Sequence, residues 1–167
     1  MLTGWVPSGQ TSCTNMQVLT LPIQFDAVIV QQKILGGTSR AVLYPKVQPD
    51  GTFSVLIVKG KNVEVTLVEN TASGTNAALC LVGIQFASAT SPLEITDKST
   101  AIGSMIGTNL NIATSADVTR IQSYKGYQPF EAYLVKNLPT TPLSTLANPK
   151  GKYFGTYIGL LWAMIKQ

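Results

Sequence analysis

The feature of this 167-residue chain that most constrains its fold is a series of short apolar runs rich in β-branched and aromatic residues. Gly, Pro and Asn separate these runs. Such runs are typical of β-strands, and they arrive about every 8–12 residues without a long amphipathic helix between them. The predicted strands are residues 16–21, 27–31, 40–44, 52–58, 63–68, 77–86, 118–124, 131–136 and 153–165. This spacing predicts an all-β fold with little helix, an antiparallel β-sandwich or barrel.

The clearest strand is Val63–Val68, in which apolar and polar residues alternate as they do in a half-buried strand. Thr52–Val58 precedes it, and the turn residues Lys59–Asn62 connect the two. We therefore expect these two strands to form a hairpin. Ala77–Phe86 is more uniformly apolar and predicts a strand buried on both faces.

The length fits one domain, and no second-domain boundary interrupts it. We expect a single β-sandwich over residues 1–167, with an N-terminal arm at 1–15 and a long Pro-rich loop at 137–152. Residues 87–100 are expected to form a polar connection. Gly103 and Gly107 argue against a stable helix in the segment that follows, whereas residues 113–119 could form a short helical turn.

The chain contains no histidine and only 20 charged residues, 12 Lys+Arg and 8 Asp+Glu. The lack of imidazole excludes a Ser-His-Asp or Cys-His nucleophile system and histidine metal ligands. The carboxylates do not show the spacing of a calcium loop. The sequence therefore predicts a protein that is not an enzyme and has no cofactor or metal. A surface this poor in charge favours self-association into a homo-oligomer.

The positive residues give a net charge of +4 but are dispersed along the chain. No basic arm is present, so we expect no dedicated nucleic-acid site. The most apolar stretch, Tyr157–Ile165, is far shorter than the ~20 residues that cross a bilayer, which predicts no membrane span. The opening residues lack the pattern of a signal peptide, so we expect a soluble protein with no mark for secretion.

Cys13 and Cys80 are the two cysteines of the chain. Two thiols do not make a disulfide framework in a chain of this length, and Cys80 lies in an apolar run. Free thiols are the expected state, with a Cys13–Cys80 bridge as the alternative.

Tyr124, Lys125, Tyr127 and Gln128 are the candidate binding residues, on a turn expected between two strands. Tyrosines with amide and ammonium neighbours on an exposed turn can stack on a sugar or form a protein contact. The alternative is structural, with the two rings covering the edge of the sandwich. The sequence leaves both interpretations open.

The overall pattern resembles the jelly-roll coat proteins of small viruses, which combine about eight strands with charge-poor, Ser/Thr/Ala-rich surfaces. The closest local similarity is the run from Pro149 to Trp162, a Gly-rich entry followed by an apolar strand. The resemblance implies a jelly-roll-like fold in a viral structural protein of the virion. The lack of a basic arm favours a projecting spike or fibre-head domain over an RNA-packaging capsid shell.

The role implied by this resemblance is subunit assembly and host attachment through a receptor or a glycan. The main alternative is a non-viral module, either carbohydrate-binding or an oligomeric head of the C1q/TNF type. A carbohydrate-binding module would need an aromatic platform on one sheet face, whereas the aromatic residues of this chain, 8% of the total, are scattered along it. An enzyme that uses paired carboxylates comes third.

Overall fold

The structure, a computed structural model, describes residues 2–21, 45–57, 59–69, 78–87 and 92–146. The described strands are β1 Leu2–Trp5, β2 Met16–Leu21, β3 Thr52–Val55, β4 Val63–Glu69, β5 Leu79–Gln85 and β6 Leu93–Glu94. The described helices are α1 Asp97–Ile106, α2 Ser115–Ser123, α3 Tyr127–Asn137 and α4 Leu143–Leu146, with a 3-10 turn at Gly107–Asn109. The prediction of an all-β, jelly-roll-like sandwich with little helix is wrong, and the described fold is mixed α/β.

The first sheet has the strand order β2-β4-β5, with both pairs antiparallel. It contains the three best-predicted strands, since β2 has the expected bounds and β4 and β5 differ from them by at most two residues. Val63, Val65 and Leu67 are fully buried, which confirms the alternation in β4. Leu67 faces Leu81 whereas Val68 faces Leu79, so the register shifts by one residue there.

The second sheet has the order β3-β1-β6, in which the central strand β1 is antiparallel to β3 and parallel to β6. The expected hairpin between β3 and β4 is therefore wrong. Phe53 of β3 packs over Gly4 of β1, where a Cβ would lie 2.5 Å from Phe53 Cζ. Because Gly4 has no Cβ, the Phe53 ring can pack directly on β1. Strand β1 lies within the N-terminal arm predicted at residues 1–15.

Residues 118–124 and 131–136 were expected to be strands, but they lie largely within α2 and α3. Tyr127, Phe130 and Leu134 are fully buried on α3, at the three-to-four-residue spacing of a helix face. At the start of α2, the Thr114 N–H donates to Asp117 Oδ2 at 2.8 Å. Packing along one helix face and a side-chain cap therefore override the β-branched composition of these segments.

Helix α1 begins within the expected polar connection and continues through Gly103, which corrects both expectations for this region. Thr96 and Ser99 form a capping box: Thr96 Oγ1 accepts from the Ser99 N–H at 3.1 Å, and Ser99 Oγ accepts from the Thr96 N–H at 2.9 Å. Gly103 lets the helix approach Val82 of β5 closely. The cap and the close packing together stabilise a helix that contains a poor helix former.

The first turns of α1 also bond to the backbone of β5, an edge strand of the first sheet as described. Thr100 Oγ1 accepts from the Val82 N–H at 3.0 Å, and Ser99 Oγ donates to the Val82 carbonyl at 2.8 Å. Thr100 is fully buried. These side chains satisfy backbone groups that a neighbouring strand would otherwise bond. The main core combines buried residues of both sheets with those of α1 and α3.

Several predictions fall outside the described residues: the strands at 27–31, 40–44 and 153–165, with the C-terminal run that carries the viral resemblance. The expected loop at 137–152 is described only to residue 146, and that part contains the end of α3 and the short α4. Among the described helices, none is long and apolar enough to cross a membrane.

Candidate functional site

The predicted contact turn Tyr124–Gln128 lies between two helices, α2 and α3, and not between two strands. Tyr127 is the first residue of α3 and is fully buried, with its ring centroid 6.4 Å from that of Phe130. Tyr124 is partly buried against the core. Lys125 and Gln128 are exposed. The turn therefore does not present two rings to a ligand, and its binding role stays a prediction.

The hydroxyl of Tyr127 is buried and makes no hydrogen bond with the described residues. Burial raises the pKa of Tyr127, and the Glu131 carboxylate one turn further along α3 raises it again. Because the hydroxyl and carboxylate do not meet in hydrogen-bond geometry, we attribute the contribution of Glu131 mainly to its charge. These properties favour the structural interpretation of Tyr127.

An aromatic side chain is instead exposed on the second sheet. The side chains of Thr3, Trp5, Thr52, Ser54 and Glu94 lie on its outer face, because they alternate with the buried residues of the three strands. Trp5 is 37% exposed. It is paired with Thr52 on one side and Glu94 on the other, while Thr3 is paired with Ser54. The outer face thus places an indole ring within a surface of hydroxyls and one carboxylate.

The backbone fixes the position of this ring within the sheet. The Trp5 carbonyl accepts from the Ile95 N–H at 3.0 Å, and the next N–H, that of Val6, donates to the Gly51 carbonyl at 2.8 Å. Gly51 has a φ of 87°, in the left-handed region that favours glycine, and it forms the turn before β3. Strand pairing on both sides therefore positions the outer face in advance of any ligand.

Asp50 orders the hydroxyl of Thr52, the cross-strand partner of Trp5. Its Oδ1 accepts from Thr52 Oγ1 at 2.6 Å and from the Thr52 N–H at 3.0 Å. The Thr52 hydroxyl bond, aided by the Thr52 N–H bond, lowers the pKa of the Asp50 carboxyl, because both stabilise the ionised form. Because the Thr52 hydroxyl donates its proton to Asp50, it can only accept a hydrogen bond from a ligand on the outer face.

A polar cleft of about 540 Å³ adjoins this end of the sheet, between residues 6–16 and 46–51. Its walls are joined by the Val6–Gly51 bond and by a bond from the Val47 N–H to the Met16 carbonyl at 2.9 Å. The polar side chains that line it include Ser8, Gln10, Thr11, Thr14, Asn15, Lys46, Gln48 and Asp50. Lys46 and Asp50 are the charged side chains among these lining residues.

Cys13 and Cys80 form a disulfide bond, so the prediction of free thiols is wrong. The bond joins the loop after β1 to the first sheet across 67 residues of sequence. The Glu69 carboxylate at the end of β4 lies beside it, and the Thr14 N–H donates to Glu69 Oε2 at 3.1 Å. Nothing in the spacing of the two cysteines signalled this pairing.

No protein-family model, curated protein or solved structure matches this chain. Its function is therefore argued from the described residues alone.

Proposed function

We propose that this protein is a non-catalytic glycan-binding module that binds a neutral sugar on the outer face of the second sheet. One observation carries the proposal: the exposed Trp5 ring is surrounded on that face by Thr3, Thr52, Ser54 and Glu94. An aromatic platform on a sheet face was the feature required of a carbohydrate-binding module. The second sheet has a small one, built on a single ring.

The chemistry of the five side chains suits a sugar. A pyranose has an apolar face of C–H groups and a rim of hydroxyls, so an aromatic ring covers the first while polar groups bond to the second. The Glu94 carboxylate accepts hydrogen bonds, and the hydroxyls of Thr3 and Ser54 donate or accept them. The backbone of Trp5 is held by strand pairing on both sides, which limits the entropy lost on binding.

A single ring on an open surface supports weak binding. We expect a dissociation constant near 1 mM for one site, about −4 kcal/mol. Weak sites of this kind gain strength when several copies bind one polymer. Self-association, which the low charge predicts, would supply those copies and stays a prediction that light scattering tests.

The experiment titrates the protein with neutral hexasaccharides of glucose, xylose and N-acetylglucosamine, followed by saturation-transfer NMR and calorimetry. Trp5→Ala should remove binding to the responding sugar. Ile112→Ala is the matched control, because Ile112 is another exposed large apolar residue, 59% exposed, and lies outside the second sheet. Melting temperatures establish that both variants are folded.

A second variant covers the case in which loss of the half-exposed ring disturbs the fold. Thr3→Arg leaves Trp5 in place and adds a bulky side chain on the same face, so it should weaken binding at least severalfold. Binding that is unchanged in both Trp5→Ala and Thr3→Arg would refute the proposal. So would the absence of binding to every sugar at a concentration tenfold above the expected dissociation constant of about 1 mM.

The viral attachment role drew on a resemblance to jelly-roll proteins. The described fold removes that structural premise, because it contains two three-stranded sheets packed with helices. Glycan attachment was common to the viral hypothesis and the carbohydrate-binding alternative, and it is the part we retain. No further observation favours a coat or a virion location.

A further inference from the structure

The two sulfurs of the disulfide and the neighbouring Glu69 carboxylate are side-chain types that bind metal ions. Cys13 Sγ, Cys80 Sγ and a Glu69 carboxylate oxygen lie within 4.8 Å of one another. Two thiolates and a carboxylate on tetrahedral zinc, with bonds of about 2.3 and 2.0–2.2 Å, would lie about 3.5–3.8 Å apart. The carboxylate thus needs little movement, whereas the two sulfurs must separate once their bond is broken.

We propose that reduction of the Cys13–Cys80 disulfide by a dithiol converts these residues, with Glu69, into a three-ligand Zn²⁺ site. The proposal is independent of glycan binding. Cys13 and Cys80 would then have two alternative states, one joined by the disulfide and one joined through a zinc ion that Glu69 also binds. Each state joins the loop after β1 to the first sheet.

Contacts other than the disulfide also bring these three ligands near one another. Cys80 is on β5 and Glu69 is at the end of the neighbouring strand β4. Cys13 is on the loop, where its N–H donates to Thr11 Oγ1 at 3.2 Å. The Thr14 N–H orients the Glu69 carboxylate, as outer partners do for metal ligands. Backbone pairing of β4 with β5 therefore places Glu69 and Cys80 side by side, and the Thr14–Glu69 bond brings the loop that carries Cys13 to them.

The site also has a route to solvent and a place for a fourth ligand. Cys13 and Thr14 line the polar cleft, although Cys80 is fully buried. A water molecule from the cleft can complete four-coordination, as it does where zinc has three protein ligands. Thiolates favour zinc over the harder magnesium and calcium ions.

The conversion takes place in two steps, reduction of the disulfide and then binding of zinc. A dithiol reductant transfers two electrons and its two thiol protons, so that the Cys13–Cys80 bond breaks, the reductant closes its own disulfide, and both cysteines become thiols. Zinc then binds the two sulfurs as thiolates and releases two protons to solvent.

The test uses the full chain with Co²⁺ as a spectroscopic substitute for zinc. The oxidised protein should show no thiolate-to-cobalt charge-transfer absorption. The protein reduced with dithiothreitol, then freed of reductant under anaerobic conditions, should bind one Co²⁺ with that absorption and with the visible bands of tetrahedral cobalt. Zn²⁺ should displace the cobalt.

Glu69→Gln tests the third ligand, and Glu64→Gln is its matched control on the same strand. We expect Glu69→Gln to weaken zinc binding about tenfold or more and Glu64→Gln to leave it within twofold. If the reduced chain unfolds, zinc should restore its circular dichroism, because the metal binds the folded form. Reduced protein that neither binds cobalt through thiolate nor refolds with zinc would overturn the proposal, as would equal affinities of the two variants.

Discussion

Gly103 of α1 lies directly against Val82 of β5, and a Cβ built on the glycine would be 2.7 Å from Val82 Cγ1. Gly103→Ala should therefore destabilise the protein by about 1–3 kcal/mol through overpacking, although alanine is the better helix former. In a Val82→Ala background the same change should be neutral or stabilising, by up to about 1 kcal/mol. Urea unfolding of the four proteins measures the coupling, and additive effects would contradict the contact.

Loss of the disulfide should lower the free energy of unfolding substantially. The bond closes a loop of 67 residues, for which chain entropy gives about 4 kcal/mol. Cys13→Ser with Cys80→Ala, unfolded in guanidinium with EDTA present, should show this decrease. Reduction of the wild-type chain should reproduce it, since the sequence has no other cysteine. A stability unchanged by either treatment would mean that the loop is fixed by its other contacts.

Glu64 should make stability depend on pH. It is paired with Leu21 and Ile84 on the neighbouring strands, and burial raises the pKa of its carboxyl above 4.5, against a smaller lowering by the Thr66 hydroxyl. A raised folded-state pKa contributes stability below pH 4.5 and loses it as pH rises through the raised value.

Glu64→Gln should therefore unfold at a higher temperature than the wild type at pH 7, and the difference should shrink at pH 4. Thermal melts of both proteins across this range measure the effect. A difference that is constant with pH would show that the Glu64 charge is not its cause.

Asn62 joins the turn before β4 to the segment between α1 and α2. Its Nδ2 donates to the carbonyls of Leu110 and Ala113, each at 2.7 Å, and its Oδ1 accepts from the Ala87 N–H at 3.0 Å. Asn62→Ala should cost about 1–3 kcal/mol because partly buried groups lose their partners. Asn62→Asp, of the same shape, keeps only the acceptor role and places charge beside two carbonyls, so it should cost more at pH 7. The reverse order would contradict this assignment.

The first sheet was readable from the sequence because its signals are local. Alternation in β4 and the apolar run of β5 each specify a buried face within seven residues. The pairing of β3 with β1 was not predictable from local sequence, because it involves a contact between Phe53 and Gly4. These two residues are 49 positions apart in the chain.

The helices were misread for a different reason. Val118, Ile121 and Tyr133 favour strands by composition, whereas Tyr127, Phe130 and Leu134 have the spacing of one helix face. The candidate site was missed because its residues come from three strands distant in sequence. Trp5 was assigned to an arm, and only pairing with Thr52 and Glu94 shows which face it shares.

The position of β1 in the middle of its sheet has a consequence for the chain as it is synthesised. Thr52 and Glu94, the partners of Trp5, are 47 and 89 residues further along. At about 5–20 residues per second, the ribosome produces the second partner roughly 4–18 s after β1. Until β3 has been made, the nascent chain carries β1 without either partner and with an exposed indole, and until β6 has been made one edge of β1 stays unpaired, as in the segments that chaperones bind.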